Sequence, residues 1–167
     1  MKRDLKMDKI PTLTIMTGLP RSGKSTWIKN NKKDAIVVSP DEIRKEVFGH
    51  QFYAPANPFV FALCGAMTSL LIKQGKDVIV DATHITHELR FSWYPVIKQY
   101  NCNTRLVHVY INEDMDKNLL KVMERNKASP ENEKIPEDVL RRFAMNFEPL
   151  DDRDYSLFKE IIRFKNV

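Results

Sequence analysis

The sequence predicts an α/β fold: a parallel sheet of five strands with helices on both faces. Three observations predict it. Short β-prone runs alternate with helical segments along the chain, the pattern that builds βαβ units. Gly18-Leu19-Pro20-Arg21-Ser22-Gly23-Lys24-Ser25 matches the phosphate-binding pattern G-x-x-x-x-G-K-S/T. Asp41 follows the second strand and Asp81 ends the third, on the sheet edge where such folds bind ligands.

Residues 1–10 are basic and acidic by turns and read as a flexible lead-in to one domain over residues 11–167. Leu13-Thr14-Ile15-Met16-Thr17 alternates and is β-prone, so it forms the first strand. Lys24 to Asn31 has no breaker and continues the phosphate loop as a helix. Ala35-Ile36-Val37-Val38-Ser39 is apolar almost throughout, as a parallel strand buried on both faces would be. Ser39 then caps a helix that has Pro40 at its first position and Glu42 three residues past the cap. Gly49 to Asn57 is a loop carrying the aromatic pair Phe52 and Tyr53. Pro58 to Gln74 is a long buried helix closed by Gly75.

Lys76 to Asp81 is the third strand. Thr83 to Tyr100 is helical, kinked or split at Pro95. Thr104 to Ile111 is the fourth strand, and Glu113 to Asn126 the helix after it. Lys127 to Lys134 is polar, broken by Ser129-Pro130, and reads as a mobile lid over about residues 127–135. Pro136 to Phe147 is a helix and Leu157 to Phe164 the fifth strand.

At 167 residues the chain is one domain with room for a core, and 43% hydrophobic with 29% charged residues is a globular composition rather than a disordered one. The net charge of +5 suits a polyanionic partner, although the lysines are scattered rather than clustered. Cys64 and Cys102 lack zinc or disulfide spacing, and free thiols fit a reducing cytoplasm. No apolar leader precedes Ile10. Gln51 to Ile72 carries no formal charge, but Pro55 and Pro58 break it, and Phe59 to Ile72 is too short to span a bilayer. The expectation is a buried helix and no membrane partner.

The residue types of the loop dictate its chemistry. Gly18 and Gly23 allow positive φ and leave the backbone open to phosphate. The N–H groups from Gly18 to Thr26, through Leu19, Pro20 (which itself lacks one), Arg21 and Ser22, form an anion cradle at a helix N-terminus. Lys24 reaches the β- and γ-phosphates of a nucleotide, and the Ser25 hydroxyl takes Mg²⁺. Asp41 is the candidate base for an acceptor hydroxyl. Arg44 either grips an acceptor phosphate or pairs with Asp41 along the helix. Asp81 either holds a magnesium-bound water or caps the next element. Arg125 either stabilises transition-state charge or complements its helix dipole. His84 and His87 lack a third strong ligand at standard spacing and read as cap or substrate contacts. Trp27 and Trp93 are core residues, and His108 is structural. Phe52 and Tyr53 either stack bases or anchor their loop.

With these residues in view, the chain resembles the 5′-hydroxyl polynucleotide kinase domain, within the zeta-toxin-like small P-loop kinases. The resemblance runs from about Thr12 to Phe164. It rests on the loop through Trp27, on Ser39-Pro40-Asp41-Glu42-Ile43-Arg44, on Val80-Asp81-Ala82-Thr83, on Arg125-Asn126-Lys127 and on Ile135-Pro136-Glu137-Asp138-Val139-Leu140. It implies a three-layer P-loop kinase sandwich with strand order 2-3-1-4-5. It also implies ATP and Mg²⁺ as cofactors, Asp41 as general base, Arg44 with Asp81 and Thr83 on the acceptor side, and Arg125 as a lid arginine. The implied substrate is the 5′ end of a nucleic acid. Two departures stand out: Ser129 lies near the place of a second lid arginine, and His84 replaces a customary asparagine. A small-molecule kinase acting on a nucleoside, sugar or antibiotic, and a nucleotide-dependent switch, are the competing readings. Oligomeric state has no signal at this level.

Overall fold

The computed structural model describes residues 9–50 and 52–167. The expected lead-in falls almost wholly outside the described residues, as does Gln51. A five-stranded parallel sheet runs in the order β2-β3-β1-β4-β5. Its strands are β1 Thr12–Thr17, β2 Ile36–Val38, β3 Val78–Val80, β4 Asn103–Tyr110 and β5 Glu160–Lys165. The helices are α1 Lys24–Asn31, α2 Pro40–Phe48, α3 Asn57–Lys73, α4 His87–Phe91, α5 Tyr94–Gln99, α6 Met115–Lys127, α7 Glu137–Met145 and α8 Asp152–Leu157. Single 3-10 turns lie at Ala54–Ala56 and Glu131–Glu133.

The period-two alternation of the strands feeds two cores. Leu13, Ile15, Val78, Val80 and Leu106 face Val60, Cys64, Ile72, Trp93 and Phe158. The residues between them, Met16, Ile79, Val107 and Val109, face Trp27 and Ile28 of α1. This explains why the central strands read as unbroken apolar runs. A third cluster packs Leu19 of the phosphate loop against Val122, Met123, Leu140 and Ala144. Through it α6 and α7 are tied to the loop.

Most elements stand where the sequence puts them. Ser39 caps α2 by accepting from the Glu42 amide at 3.4 Å, with Pro40 in the first turn. Gly75, at φ 74°, follows the end of α3.

Four expectations are corrected. β2 is an edge strand, with Ile36 37% exposed, so its apolarity is not that of a strand buried on both faces. Residues 83–86 are not helical. His84 sits at φ 38°, and α4 starts only after Thr86, which caps it by accepting from the Leu89 amide at 3.2 Å. Leu157 ends a helix rather than starting a strand, and α8 has its own capping box of Asp151 and Asp154. Finally, α3 joins the preceding turn to make a segment, Ala54–Lys73, long and apolar enough to cross a membrane, yet only 28% buried. Its stripe of Val60, Cys64, Thr68 and Ile72 packs it onto the sheet, so the helix expected to be buried is buried along one face only.

Candidate active site

The sheet order puts the C-terminal ends of β3 and β1 side by side, with β2 beyond β3. The phosphate loop leaves β1, Asp81 leaves β3, and Asp41 opens the helix that leaves β2. Three segments distant in sequence therefore meet at one edge.

The loop closes through backbone bonds. The Gly18 amide donates to the Thr83 carbonyl at 3.0 Å, and the Ser22 amide donates to the Leu19 carbonyl at 3.2 Å. Gly18 and Gly23 hold φ of 141° and 107°. A Cβ on Gly18 would collide with the Val109 carbonyl, and one on Gly23 with the Asn166 side chain. Gly23→Ala is expected to cost nucleotide binding at least tenfold, because both the strained φ and the Asn166 contact distort the cradle. Equilibrium binding of a fluorescent ATP analogue checks this; unchanged affinity would contradict it.

Lys24 is 8% exposed, and its Nζ donates to the Gly18 carbonyl at 3.0 Å and the Leu19 carbonyl at 2.8 Å. Burial pulls its ammonium down to about 8, against the opposing pull of Asp81 and then Asp41. The sign of the consequence follows. Below pH 8 the free protein already holds the proton that bound phosphate favours. Above it, nucleotide binding must take up a proton, and affinity falls by up to about tenfold per pH unit. Calorimetry in buffers of differing ionisation enthalpy reads that uptake, and a flat affinity through this range would contradict it.

Asp41 and Arg44 form a fixed pair at the start of α2. Arg44 Nη1 donates to Asp41 Oδ1 at 2.7 Å, while its Nε and Nη2 donate to Asn57 Oδ1 at 3.0 and 2.7 Å. The Phe61 ring lies 5.6 Å from the guanidinium carbon. The Arg44 side chain is 9% exposed, that of Asp41 60%. The walls around Asp41 lift its carboxyl above the ordinary carboxylate value, and Arg44 and Lys24 oppose the rise. With so much of the Asp41 side chain in water, solvent screens this effect. Asp81 is partly buried; its carboxyl is raised by burial, with Lys24 pulling it down and Asp41 pushing it up. The helical ion pair expected of Arg44 is therefore present, and Asn57, on another helix, fixes it.

Arg125 lies against the loop, its Nη1 donating to the Ser22 carbonyl at 3.3 Å and the Arg21 carbonyl at 3.5 Å. A third contact runs from its Nη2 to the Asn166 carbonyl at 3.4 Å, and all three are long. Ser25 and Thr26 are exposed on the first turn of α1. Leu19 is buried, Pro20 is half-buried, and Ser22 Oγ is buried with no partner. Arg21, at φ 62°, sends its guanidinium to the Glu133 carbonyl and so joins the loop to the lid. Thr83 contributes through its backbone carbonyl.

Two structural residues, Asn166 and Arg90, escaped the sequence reading, and His84, read as a cap or substrate contact, has a structural role as a latch. Its Nδ1 lies 2.7 Å from the Met16 carbonyl and its Nε2 accepts from Trp93 Nε1 at 2.9 Å. That pattern requires a neutral ring with the proton on Nδ1, and burial holds the imidazole down at about 4. Asn166 donates to the Ser22 carbonyl at 2.9 Å from the end of β5. Arg90, fully buried, donates from Nε to Asp154 Oδ1 at 2.6 Å and from Nη1 to the His84 carbonyl at 3.0 Å. Only the double role of His84 could have been suspected, from its place after Asp-x-Thr.

His87 finds the acid neighbours that spacing did not reveal: its ring nitrogens lie 3.2 Å from Asp151 and from Asp154. Arg90 Nη2 stands 3.1 Å from the same His87 Nδ1, so a guanidinium already supplies the positive charge there. Phe52 and Tyr53 are 54% and 39% exposed and do not anchor their loop in the core. A cavity of about 460 Å³ lined by Tyr100, Cys102 and Lys159 lies at the opposite edge of the sheet, away from this chemistry.

The 6-phosphofructo-2-kinase/fructose-2,6-bisphosphatase 1 of Bos taurus is 26% identical over an alignment 172 residues long that covers 85% of this chain and 36% of that protein. The chain thus spans about a third of the curated relative it matches. Among solved structures, a chain of the Pnkp1/Rnl/Hen1 RNA repair complex superposes with a TM-score of 0.67 at 20% identity, over 83% of this chain and 44% of that one. Kti12 of Chaetomium thermophilum, solved with ADP-AlF3, gives 0.64 at 15% identity over 92% and 88%. Both are likenesses of fold. Residues 13–150 match the family model AAA_33, an AAA domain. With the phosphate loop, both edge acids and four of the five strands inside that match, the chain belongs to the AAA_33 family of AAA domains and has the fold of the P-loop kinases.

Proposed function

We propose that the chain transfers the γ-phosphate of ATP to a hydroxyl acceptor, the 5′-OH of DNA or RNA. The observation that carries this reading is Asp41: a carboxylate held by Arg44, open to water at the C-terminal edge of the sheet, with Lys24 close enough to act on its charge. A nucleotide switch has no use for a base in that position.

In this reading Asp41 accepts the proton of the 5′-hydroxyl as its oxygen attacks the γ-phosphorus in line. The bond from that phosphorus to the β,γ-bridging oxygen breaks, and the negative charge leaves with ADP. Lys24 and the loop amides hold the β- and γ-phosphates through the transfer. Arg125, held beside the loop by long contacts, turns toward the charge that develops there. Arg44 keeps Asp41 oriented and offers its remaining donor capacity to an acceptor phosphate. Ser25 and Asp81 supply hard oxygen donors of the kind Mg²⁺ takes, Asp81 through water, and the ion would neutralise phosphate charge.

The net charge of +5 supports a polyanionic acceptor. So does the likeness of fold to a chain from an RNA repair complex, as an analogy. The Bos taurus relative favours a second reading, a small phosphorylated sugar as acceptor. Initial rates with a 5′-hydroxyl oligonucleotide and with a sugar panel, each across a salt series, separate the two. Oligonucleotide turnover is expected to fall steeply with salt through KM, whereas turnover of a sugar would change little. Salt-insensitive turnover of a sugar, with the oligonucleotide inert, would overturn the polynucleotide reading.

A further inference from the structure

The outward face of α3 is the largest feature the chemistry leaves unused. Its inward stripe, Val60, Cys64, Thr68 and Ile72, is buried. A second apolar stripe, Phe59, Ala62, Ala66 and Leu70, recurs at three- and four-residue steps on the opposite side, with Met67 beside it. Phe59 is 54% exposed, Met67 38% and Leu70 58%. Gly65 flanks the stripe, and a Cβ added to it would meet nothing within 4 Å. The stripe carries no charge until Lys73.

The patch continues onto α2. The Phe48 ring lies 6.1 Å from Phe59 and 5.5 Å from Tyr53, centroid to centroid. Val47 and Phe52, next to Phe48 and Tyr53 in the chain, are each 54% exposed. Taking each side chain at about half of its burial capacity, the set offers on the order of 700 Å² per chain. That exceeds the ~300–600 Å² of a typical monomer's largest patch and approaches the ~800 Å² each partner gives to a standard interface.

The order of the residues points to the occupant. Read in either direction along the helix, the stripe runs large, small, small, large: Phe59, Ala62, Ala66, Leu70. A two-fold axis crossing α3 between Ala62 and Ala66 sets Phe59 of one chain opposite Leu70 of the other. It leaves the alanines at the centre, where two helices approach closely. An isologous contact needs a patch that fits itself, and this order provides one. The α3 stripe itself offers a polyanion no charge to pair with before Lys73. A bilayer would require the helix to present a basic polar face, but its other face is locked in the core.

We infer that α3 forms a two-fold interface, so that this chain is a dimer built through Phe59, Ala62, Ala66 and Leu70. Sedimentation velocity from submicromolar to hundreds of micromolar protein tests it. The wild-type chain is expected at twice the monomer mass over the upper part of that range. Leu70→Lys and Ala66→Glu, both outside the core, are expected to be monomeric there with unchanged thermal midpoints. Ala66→Cys should join two chains through a short bismaleimide, while Leu120→Cys on the exposed face of α6 should not. Three results would each overturn the proposal: a monomer at every concentration, dimers that survive Leu70→Lys, or monomers recruited to neutral lipid vesicles through this face.

Discussion

Asp41→Asn lowers phosphoryl transfer by about 10²–10⁴-fold, the usual contribution of a positioned base, while ATP binds nearly as before. The substitution keeps the shape and one acceptor oxygen for Arg44 Nη1, so Arg44 stays tied to Asn57 and the cleft keeps its form. What is lost is the ability to take a proton. Because the loop bonds and the two carbonyls that hold Lys24 do not involve residue 41, nucleotide affinity measured well below pH 8, where Lys24 is charged, is a separate readout. The pH dependence has a defined sign. Asp41 must be ionised to act, and its carboxyl lies above the ordinary value. Activity is therefore lost as pH falls through that raised value, and the acid limb disappears from whatever rate remains in Asp41→Asn. A variant with full turnover would remove Asp41 as the base.

Asp154→Ala has the largest expected effect on stability, about 3–5 kcal/mol, because it leaves the fully buried Arg90 guanidinium without its carboxylate. For a chain of this size that corresponds to a fall of about 10 °C in the thermal midpoint. The pair joins α4 to α8 beneath the 81–86 loop. Arg90 Nη1 also holds the His84 carbonyl, whose own latch reaches Met16 at the base of the phosphate loop. Weakened nucleotide binding is thus expected alongside the lost stability. Scanning calorimetry with and without ATP measures both. A midpoint within a degree or two of wild type would show that the buried pair contributes no more than a surface one.

The phosphate loop was legible because its constraints are local: glycines at fixed positions, a lysine and a hydroxyl on the next turn, a strand before and a helix after. The cap of α2 was legible for the same reason, and it placed Asp41 and Arg44 one turn apart. Sheet order followed from the resemblance to small P-loop kinases, and the observed order agrees with it.

What stayed hidden depends on contacts across the sequence. Arg90 and Asp154 lie 64 residues apart, and each alone reads as a solvated charge. His84 breaks the expected helix because its ring is bound on both sides by Met16 and Trp93, a constraint that no helical propensity reveals. Asn57, which fixes Arg44, reads only as a loop residue before a proline. The apolarity of β2 suggested a central strand, but an edge position leaves Ile36 outside. In α3 the apolar residues were read as one buried helix, although they cover two faces and the core takes only one.

The central claim is that this site moves a phosphoryl group to a 5′-hydroxyl. Its most direct measurement is transfer of label from γ-labelled ATP to a 5′-hydroxyl oligonucleotide, beside the same strand carrying a 5′-phosphate. The account predicts label on the hydroxyl strand alone, removable by a phosphatase, and its loss in Asp41→Asn. An unlabelled hydroxyl strand from protein that binds ATP would contradict it.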